Sequence, residues 1–148
     1  MSDPRYTHTQ IGWLVLIVVF GAATVMFIVF LLTGIRGLPL AVPAIFTVLA
    51  MLFGWLKVTV DDRRITARFG PGLVFKRFDV HEVASAEAVR NSPWWGWGIK
   101  LTKHGWLFNV SGLDAVELTM RNGRRYRIGT DDPRGLTRAV QRLVERHA

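Results

Sequence analysis

Ile11-Gly-Trp-Leu-Val-Leu-Ile-Val-Val-Phe-Gly-Ala-Ala-Thr-Val-Met-Phe-Ile-Val-Phe-Leu-Leu-Thr33, a link Gly34-Ile-Arg-Gly37, and Leu38-Pro-Leu-Ala-Val-Pro-Ala-Ile-Phe-Thr-Val-Leu-Ala-Met-Leu-Phe-Gly-Trp-Leu56 decide how the rest of the chain is read. From Ile11 to Ile35 there is no Asp, Glu, Lys, Arg or His. A helix of that length, rising about 1.5 Å per residue, exceeds a hydrocarbon core of roughly 30 Å. The second run is uncharged and close to the usual span of about 20 residues. Its Pro39 and Pro43 lie near the start, where proline is tolerated in a first helical turn. Buried helices of a soluble protein are the alternative for apolar runs, but two long runs back to back in so short a chain favour a transmembrane hairpin. The predicted spans are 11–33 and 38–56.

A cleaved signal peptide would need a basic leader, an apolar stretch of roughly 7–15 residues and a small-residue cleavage site. The apolar run here is far longer, so it is expected to stay attached. Orientation follows from charge. The link holds one cation, Arg36, whereas Lys57, Arg63, Arg64 and Arg68 follow the second run and Arg5 precedes the first. The positive-inside bias puts both termini in the cytoplasm, with a cytoplasmic N-terminal tail over residues 1–10 and a multi-pass location in a bacterial inner (cell) membrane. Trp13 opens the first span and Trp55 closes the second, so an antiparallel hairpin brings both indoles to one interfacial belt. Thr47, Ala50 and Gly54 on one span, and Gly21 to Thr24 on the other, are small enough to let backbones approach closely. A homo-oligomer contact is the other use of such residues.

Beyond the hairpin, residues 57–148 hold 17 Lys and Arg against 10 Asp and Glu, a net +7 of the chain's +8. This is room for one small basic domain. Anionic lipid and nucleic acid are the usual partners of such charge. With zero cysteines, disulfides, thiol catalysis and cysteine metal sites are excluded.

The domain reads as short strands. Lys57-Val-Thr-Val-Asp61 and Ile65-Thr-Ala-Arg-Phe69 alternate around Asp62-Arg63-Arg64; pairing Val60 with Ile65 and Val58 with Ala67 puts all four on one face. Gly70-Pro71-Gly72 predicts a turn, Leu73 to Phe78 a third strand and Val83 to Val89 a fourth. Ile99–Thr102 and Trp106–Val110 predict a hairpin. For the last pair, a loop Arg121-Asn122-Gly123 with Gly123 left-handed opposes Met120 to Arg124, Leu118 to Tyr126 and Val116 to Ile128. Asp132-Pro133 then caps a helix with Leu136, Ala139, Val140, Leu143 and Val144 on one face. Arg134, Arg138, Arg142 and Arg146 follow at four-residue steps. Such a stripe is either a solvated face or a contact for anionic headgroups.

Short antiparallel strands closed by one C-terminal amphipathic helix resemble the pleckstrin-homology-like (PH-like) fold. The run Tyr126-Arg-Ile-Gly-Thr-Asp-Asp-Pro133, ending a strand and opening the final helix, makes the chain similar to small bacterial membrane proteins with a PH-like domain after two spans. The resemblance covers nearly the whole chain and implies an α+β membrane protein: a transmembrane hairpin, then a cytoplasmic PH-like antiparallel β-barrel or sandwich capped by a helix. It implies no defined activity. Phosphoinositide-binding members of the wider superfamily carry basic residues around the first hairpin loop. Here that loop reads Asp61-Asp62-Arg63-Arg64, which does not support a specific phosphoinositide pocket.

His8, His81, His104 and His147 show no metal-ligand spacing and are expected at the surface. Asp131 and Asp132 form a potential carboxylate pair, although capping explains Asp132. The glycines around Trp95 to Gly98 lack a phosphate-loop context, and no nucleophile sits in a catalytic one. The chain is therefore read as a non-enzyme with no metal and no cofactor. Trp94, Trp95 and Trp97, with Lys100 and Lys103 nearby, combine amphipathic rings with cations, the chemistry of interfacial insertion or of a peptide groove. Of the adjacent Trp94 and Trp95, one must face outward, while Trp106 and Phe108 are expected to face the core. The expected partners are the lipid bilayer and either anionic headgroups, met by the Trp loop and by Arg134, Arg138 and Arg142, or another membrane protein; no nucleic acid is expected.

Overall fold

Tyr6 to Gln10, expected to lie in a tail, belong to a strand. In a computed structural model of the protein, which describes residues 5–34 and 37–147, β1 (Tyr6–Ile11) pairs antiparallel with β2 (Trp55–Val60) over its whole length, from Tyr6 opposite Val60 to Ile11 opposite Trp55. Between these strands the chain leaves and returns as two helices, α1 (Trp13–Thr33) and α2 (Leu38–Phe53). One residue, Gly12, separates β1 from α1, and one, Gly54, separates α2 from β2. The Gly12 N–H donates to the Gly54 carbonyl at 2.7 Å, so the ladder continues to the base of the helix pair. Arg36, the cation of the link, lies outside the described residues.

Among the described residues one helix, α1, is long and apolar enough to cross a membrane. At 21 residues it measures about 31 Å. The predicted second span is corrected: its helix ends at Phe53 after 16 residues, about 24 Å, and Trp55 and Leu56 already belong to β2. The change of conformation falls at Gly54, where a Cβ would come within 3.4 Å of the Leu16 side chain on α1. Val19 and Ala50 are buried, and a Cβ on Gly54 would sit 2.3 Å from the Ala50 carbonyl oxygen of its own helix, whereas nothing lies within 4 Å of a Cβ built on Gly21.

From β2 the chain continues through β3 (Arg64–Phe69) and β4 (Val74–Asp79), giving a four-stranded antiparallel sheet in the order β1-β2-β3-β4. The register opposes Val60 to Ile65 and Val58 to Ala67, as the alternation requires. A short 3₁₀ turn, Val80–Glu82, carries the chain into a second sheet of β5 (Val83–Arg90), β6 (Gly98–Thr102), β7 (Gly105–Asn109), β8 (Asp114–Met120) and β9 (Arg125–Gly129), in the order β5-β8-β9-β7-β6. The turn is held at both ends, by Val80 N–H to the Arg63 carbonyl at 2.8 Å and Arg121 N–H to the Glu82 carbonyl at 2.7 Å. The β8–β9 loop is the three-residue form: Val116 opposes Ile128, Leu118 opposes Tyr126, the Met120 N–H reaches the Arg124 carbonyl, and Gly123 has φ +83°.

One pairing departs from an all-antiparallel sheet. Strand β9 inserts between β8 and β7 and runs parallel to β7, with Phe108 opposite Ile128. The chain from β7 to β8 must therefore cross the end of β9. Asn109 shapes this crossing: its Oδ1 accepts from the Ser111 N–H and its Nδ2 donates to the Gly112 carbonyl.

The inner faces of both sheets and α3 (Pro133–His147) enclose the core. Leu136, Val140 and Leu143 of α3 are buried there, each worth roughly 1.5–3 kcal/mol against exposure. Asp132 caps α3 by accepting from the Gly135 N–H at 3.0 Å, a contribution of about 1 kcal/mol. Ring contacts run from α2 into this core: Phe53 meets Phe69 edge-on at 5.8 Å, Phe69 meets Phe108, and Phe108 meets Phe78. At the same junction Gly70 (φ +49°) lies so close to the end of α2 that a Cβ would sit 2.2 Å from the Met51 carbonyl oxygen. A Gly70→Ala substitution should cost at least about 1–3 kcal/mol through overpacking and left-handed strain, whereas Gly21→Ala should not destabilise. Thermal unfolding of the detergent-solubilised chain checks the pair.

Candidate functional site: an aromatic collar at the helix base and a basic groove beside the last helix

Short connections gather exposed apolar side chains where the helices meet the sheets. Trp13 is the first residue of α1, and Trp55 is the first of β2, opposite Ile11; their exposures are 64%, 37% and 42%. Trp55 thus stands in a strand rather than at the end of a helix, yet both indoles lie at the same end of the helix pair. The turn after β3 is tied to this level by the Gly70 N–H, which donates to the Trp55 carbonyl at 2.9 Å, and it carries Leu73, 76% exposed.

The loop between β5 and β6 completes the collar, and its three tryptophans have different surroundings. Trp97 lines a cleft of about 230 Å³ with Val15 of α1, Leu49 and Phe53 of α2, and Val110. Trp94 is almost wholly exposed, at 94%. Trp95 is half-buried on the outer face of the second sheet, where the Arg127 guanidinium lies 5.2 Å from its ring centroid and the His104 ring 5.4 Å away. The expectation that one of Trp94 and Trp95 faces outward holds, although Pro93–Trp95 forms a 3₁₀ turn rather than extended backbone.

Trp95 covers a charged network. Arg127 is 7% exposed, donates from Nε to Glu117 Oε2 at 2.7 Å and from Nη1 to Asn91 Oδ1 at 3.3 Å. Leu107 and Ala115, fully buried, belong to this outer face because their partners are Arg127 and Gly129. Partial desolvation and the nearby Arg127 charge push the His104 pKa down. Lys100 lies alongside the loop, with its Nζ 3.4 Å from a Cβ built on Gly96; Lys103 is exposed in the β6–β7 turn.

Trp106 corrects a core assignment. It shares a face with Phe108, which is buried, but it sits at the end of β7 farthest from the helices and remains 44% exposed beside Leu101, Arg124 and Arg125. Strand parity places it on the inner face, and the core does not extend that far.

The arginine stripe does not join the tryptophan loop. α3 begins beside β1: the Tyr6 hydroxyl donates to Asp132 Oδ2 at 3.0 Å, and His8 contacts Asp131. It ends at the β2–β3 turn, where His147 Nε2 lies 3.0 Å from the Asp62 carbonyl oxygen. Tyr6, opposite Val60, and the β2–β3 turn both lie at the end of the β1–β2 ladder remote from Gly12 and Gly54, so the stripe is set apart from the helix base. Arg134, Arg138, Arg142 and Arg146 are all exposed. The last three share a groove of about 430 Å³ with Arg5 and Tyr6.

The carboxylates and histidines separate into local roles. Asp132 is held below the usual carboxylate range by the Gly135 N–H and then by the Tyr6 hydroxyl, while burial and the Asp132 contact push the Tyr6 phenol up. Asp131 turns to His8 instead. Asp61 accepts from the backbone N–H groups of Arg63 and Arg64, and Asp62 pairs with Arg5, which explains the two carboxylates of the first hairpin loop as turn chemistry. His81 and His147, distant in sequence, meet with their ring centroids 4.5 Å apart and their planes tilted by 54°. The sequence alone does not disclose the collar contribution of Leu73 or the place of Arg5 in the groove: Leu73 reads as a strand residue and Arg5 as part of a tail.

Comparison with known protein-family models and with curated protein sequences gives no match. The geometry assigns opposite tasks to adjacent tryptophans. Trp95→Ala should destabilise the domain by about 2 kcal/mol, since it uncovers Arg127, while Trp94→Ala should leave the unfolding midpoint within experimental error. Parallel thermal melts of the two variants measure this.

Proposed function

We propose that the chain is a membrane-anchored interaction protein, with α1 and α2 in the bilayer and the β domain seated against the cytoplasmic leaflet of a bacterial inner membrane. The observation that carries this reading is the surface of the helices. α1 exposes Phe20, Leu31 and Leu32 at 68%, 63% and 81%, and α2 exposes Ile45, Val48 and Met51 at 60%, 55% and 60%. So much contiguous apolar surface exceeds the few hundred Å² found on soluble monomers. The hydroxyls on these helices are consistent with lipid around them. Thr24, Thr33 and Thr47 donate back to the carbonyls of Phe20, Val29 and Pro43 at 2.8, 2.7 and 2.8 Å, so none needs water.

The shorter α2 fits the same bilayer as the second arm of a hairpin. Its top lies about 7 Å below that of α1 when both start from the Gly12–Gly54 bond, a gap that the four linking residues can cover at roughly 3.3 Å each. Local thinning or tilt absorbs the remaining mismatch. The collar of Ile11, Trp13, Trp55, Leu73 and Trp97 then lies at the interface, where indoles are favoured. Arg5, Lys57, Arg63, Arg64 and Arg68 on the domain side, against Arg36 in the link, support the cytoplasmic orientation.

Two sheets closed by the amphipathic α3 support the PH-like reading of the domain; the parallel β7–β9 pair and the strand ahead of α1 are this chain's departures from it. Such a module held at a leaflet acts by binding rather than by catalysis. The exposed Trp94 and Lys100, on the loop whose Trp97 reaches the helix base, favour anionic-lipid recognition as the second reading, the charge of the domain adding attraction at a negative surface.

The chain has zero cysteines, so introduced thiols report alone. In intact cells Gly37→Cys should react with a membrane-impermeant maleimide, while Arg124→Cys should react only after permeabilisation. The reverse pattern overturns the orientation, and equal reactivity of both overturns the hairpin.

A further inference from the structure

The groove between β1 and α3 is a strongly cationic concavity. Arg5, Arg138, Arg142 and Arg146 line it with Tyr6 and Leu143, around about 430 Å³. Among the described residues Arg138, Arg142 and Arg146 make no ion pair, whereas Arg64, Arg125 and Arg127 each have a carboxylate partner. Arg5 is paired with Asp62, whereas the three helix arginines stand together without an ion-pair partner and repel one another, and an anionic ligand relieves that repulsion.

The lining selects the kind of anion. Successive arginines four residues apart on α3 are spaced by about 6 Å. Alternate side chains of an extended peptide repeat at roughly 6.6 Å. A strand-like segment with acidic residues at every second position therefore matches the stripe, its intervening side chains pointing away from α3. Single-stranded nucleic acid fits less well, because it needs aromatic platforms for its bases. Tyr6 is the aromatic residue of the groove, and its hydroxyl is committed to Asp132. A leaflet also fits less well, because Arg5 and Tyr6 place the groove at the end of the β1–β2 ladder remote from the helix base. The chain itself has no such segment: its adjacent acids, Asp61-Asp62 and Asp131-Asp132, are engaged in turns and capping.

We propose that the Arg5–α3 groove is the docking site for an extended, alternating acidic segment of a partner protein. The proposal rests on the domain being an interaction module and names the class of its partner; it does not depend on which side of the membrane the domain faces, so the thiol-labelling result and the following one can fail separately.

The test uses the full chain in phosphatidylcholine nanodiscs and a fluorescent peptide of about ten residues alternating Asp and Leu, followed by anisotropy. Binding is expected, with an Asn-for-Asp peptide at least about tenfold weaker. The double variant Arg138→Gln with Arg142→Gln should weaken binding by about tenfold or more at an unchanged unfolding midpoint, since glutamine keeps helix propensity. Arg121→Gln with Arg124→Gln removes the same charge from the β8–β9 loop and should leave binding intact. Absence of binding at low salt, or equal loss in the two double variants, overturns the proposal. Displacement of the labelled peptide by oligothymidylate or short-chain phosphatidylglycerol at lower concentration than by unlabelled peptide also overturns it, in favour of nucleic acid or lipid.

Discussion

The structure depends on the β1–β2 ladder and on the Gly12–Gly54 hydrogen bond that ends it. Because both helices grow out of adjacent, paired strands, their base is part of the sheet rather than a linker. Replacing either glycine would disturb a backbone contact: a Cβ on Gly12 would come within 3.0 Å of the Gly54 carbonyl oxygen. The Phe53–Phe69–Phe108–Phe78 ring series then carries the connection through the core. A hinge would need an unpaired segment between anchor and domain, and the described residues on both connections are paired to within one residue of each helix.

This junction orders the two candidate surfaces. The collar sits where the strands become helices, beside the turns at Gly12, Gly54 and Gly70-Pro71-Gly72, and its apolar side chains are exposed there. The arginine groove lies along α3, whose start is fixed by Tyr6 and His8 of β1 and whose end is fixed at the β2–β3 turn. One surface is apolar and next to the helices; the other is cationic and set apart from them. In the proposed function this division lets the domain remain seated on a leaflet while it engages a protein beyond it.

Much of the domain was legible where local chemistry and pattern agree. The Val60/Ile65 and Val58/Ala67 register, the left-handed Gly123 and the Asp132 cap each follow from residues close in sequence. β1 was not legible, because Tyr6-Thr-His-Thr-Gln-Ile11 alternates polar with polar and a two-period apolar signal is absent. Its buried Gln10 instead donates to the Ser111 carbonyl, a partner from the far end of the domain. Trp55 and Leu56 were absorbed into the second apolar run for the opposite reason: apolarity does not distinguish helix from buried strand, and Gly54 was the available signal of the change. The parallel β7–β9 pair and the Trp95–Arg127 contact join segments far apart in the chain, and no local pattern specifies them. For the candidate site, the tryptophan loop and the arginine stripe were visible as composition; their separation, and the recruitment of Leu73 and Arg5, required the fold.

Pulsed electron–electron resonance on the full chain in nanodiscs tests the rigid junction most directly. Spin labels at Leu32→Cys near the far end of α1 and Asn122→Cys in the β8–β9 loop span the anchor and the domain, and the absence of native cysteines makes the pair unique. A single distance distribution as narrow as that of an Arg77→Cys/Asn122→Cys pair within the domain is the expected result. A broad or multiple distribution for the Leu32/Asn122 pair alone would mean that the domain moves on its anchor, contradicting the continuous ladder.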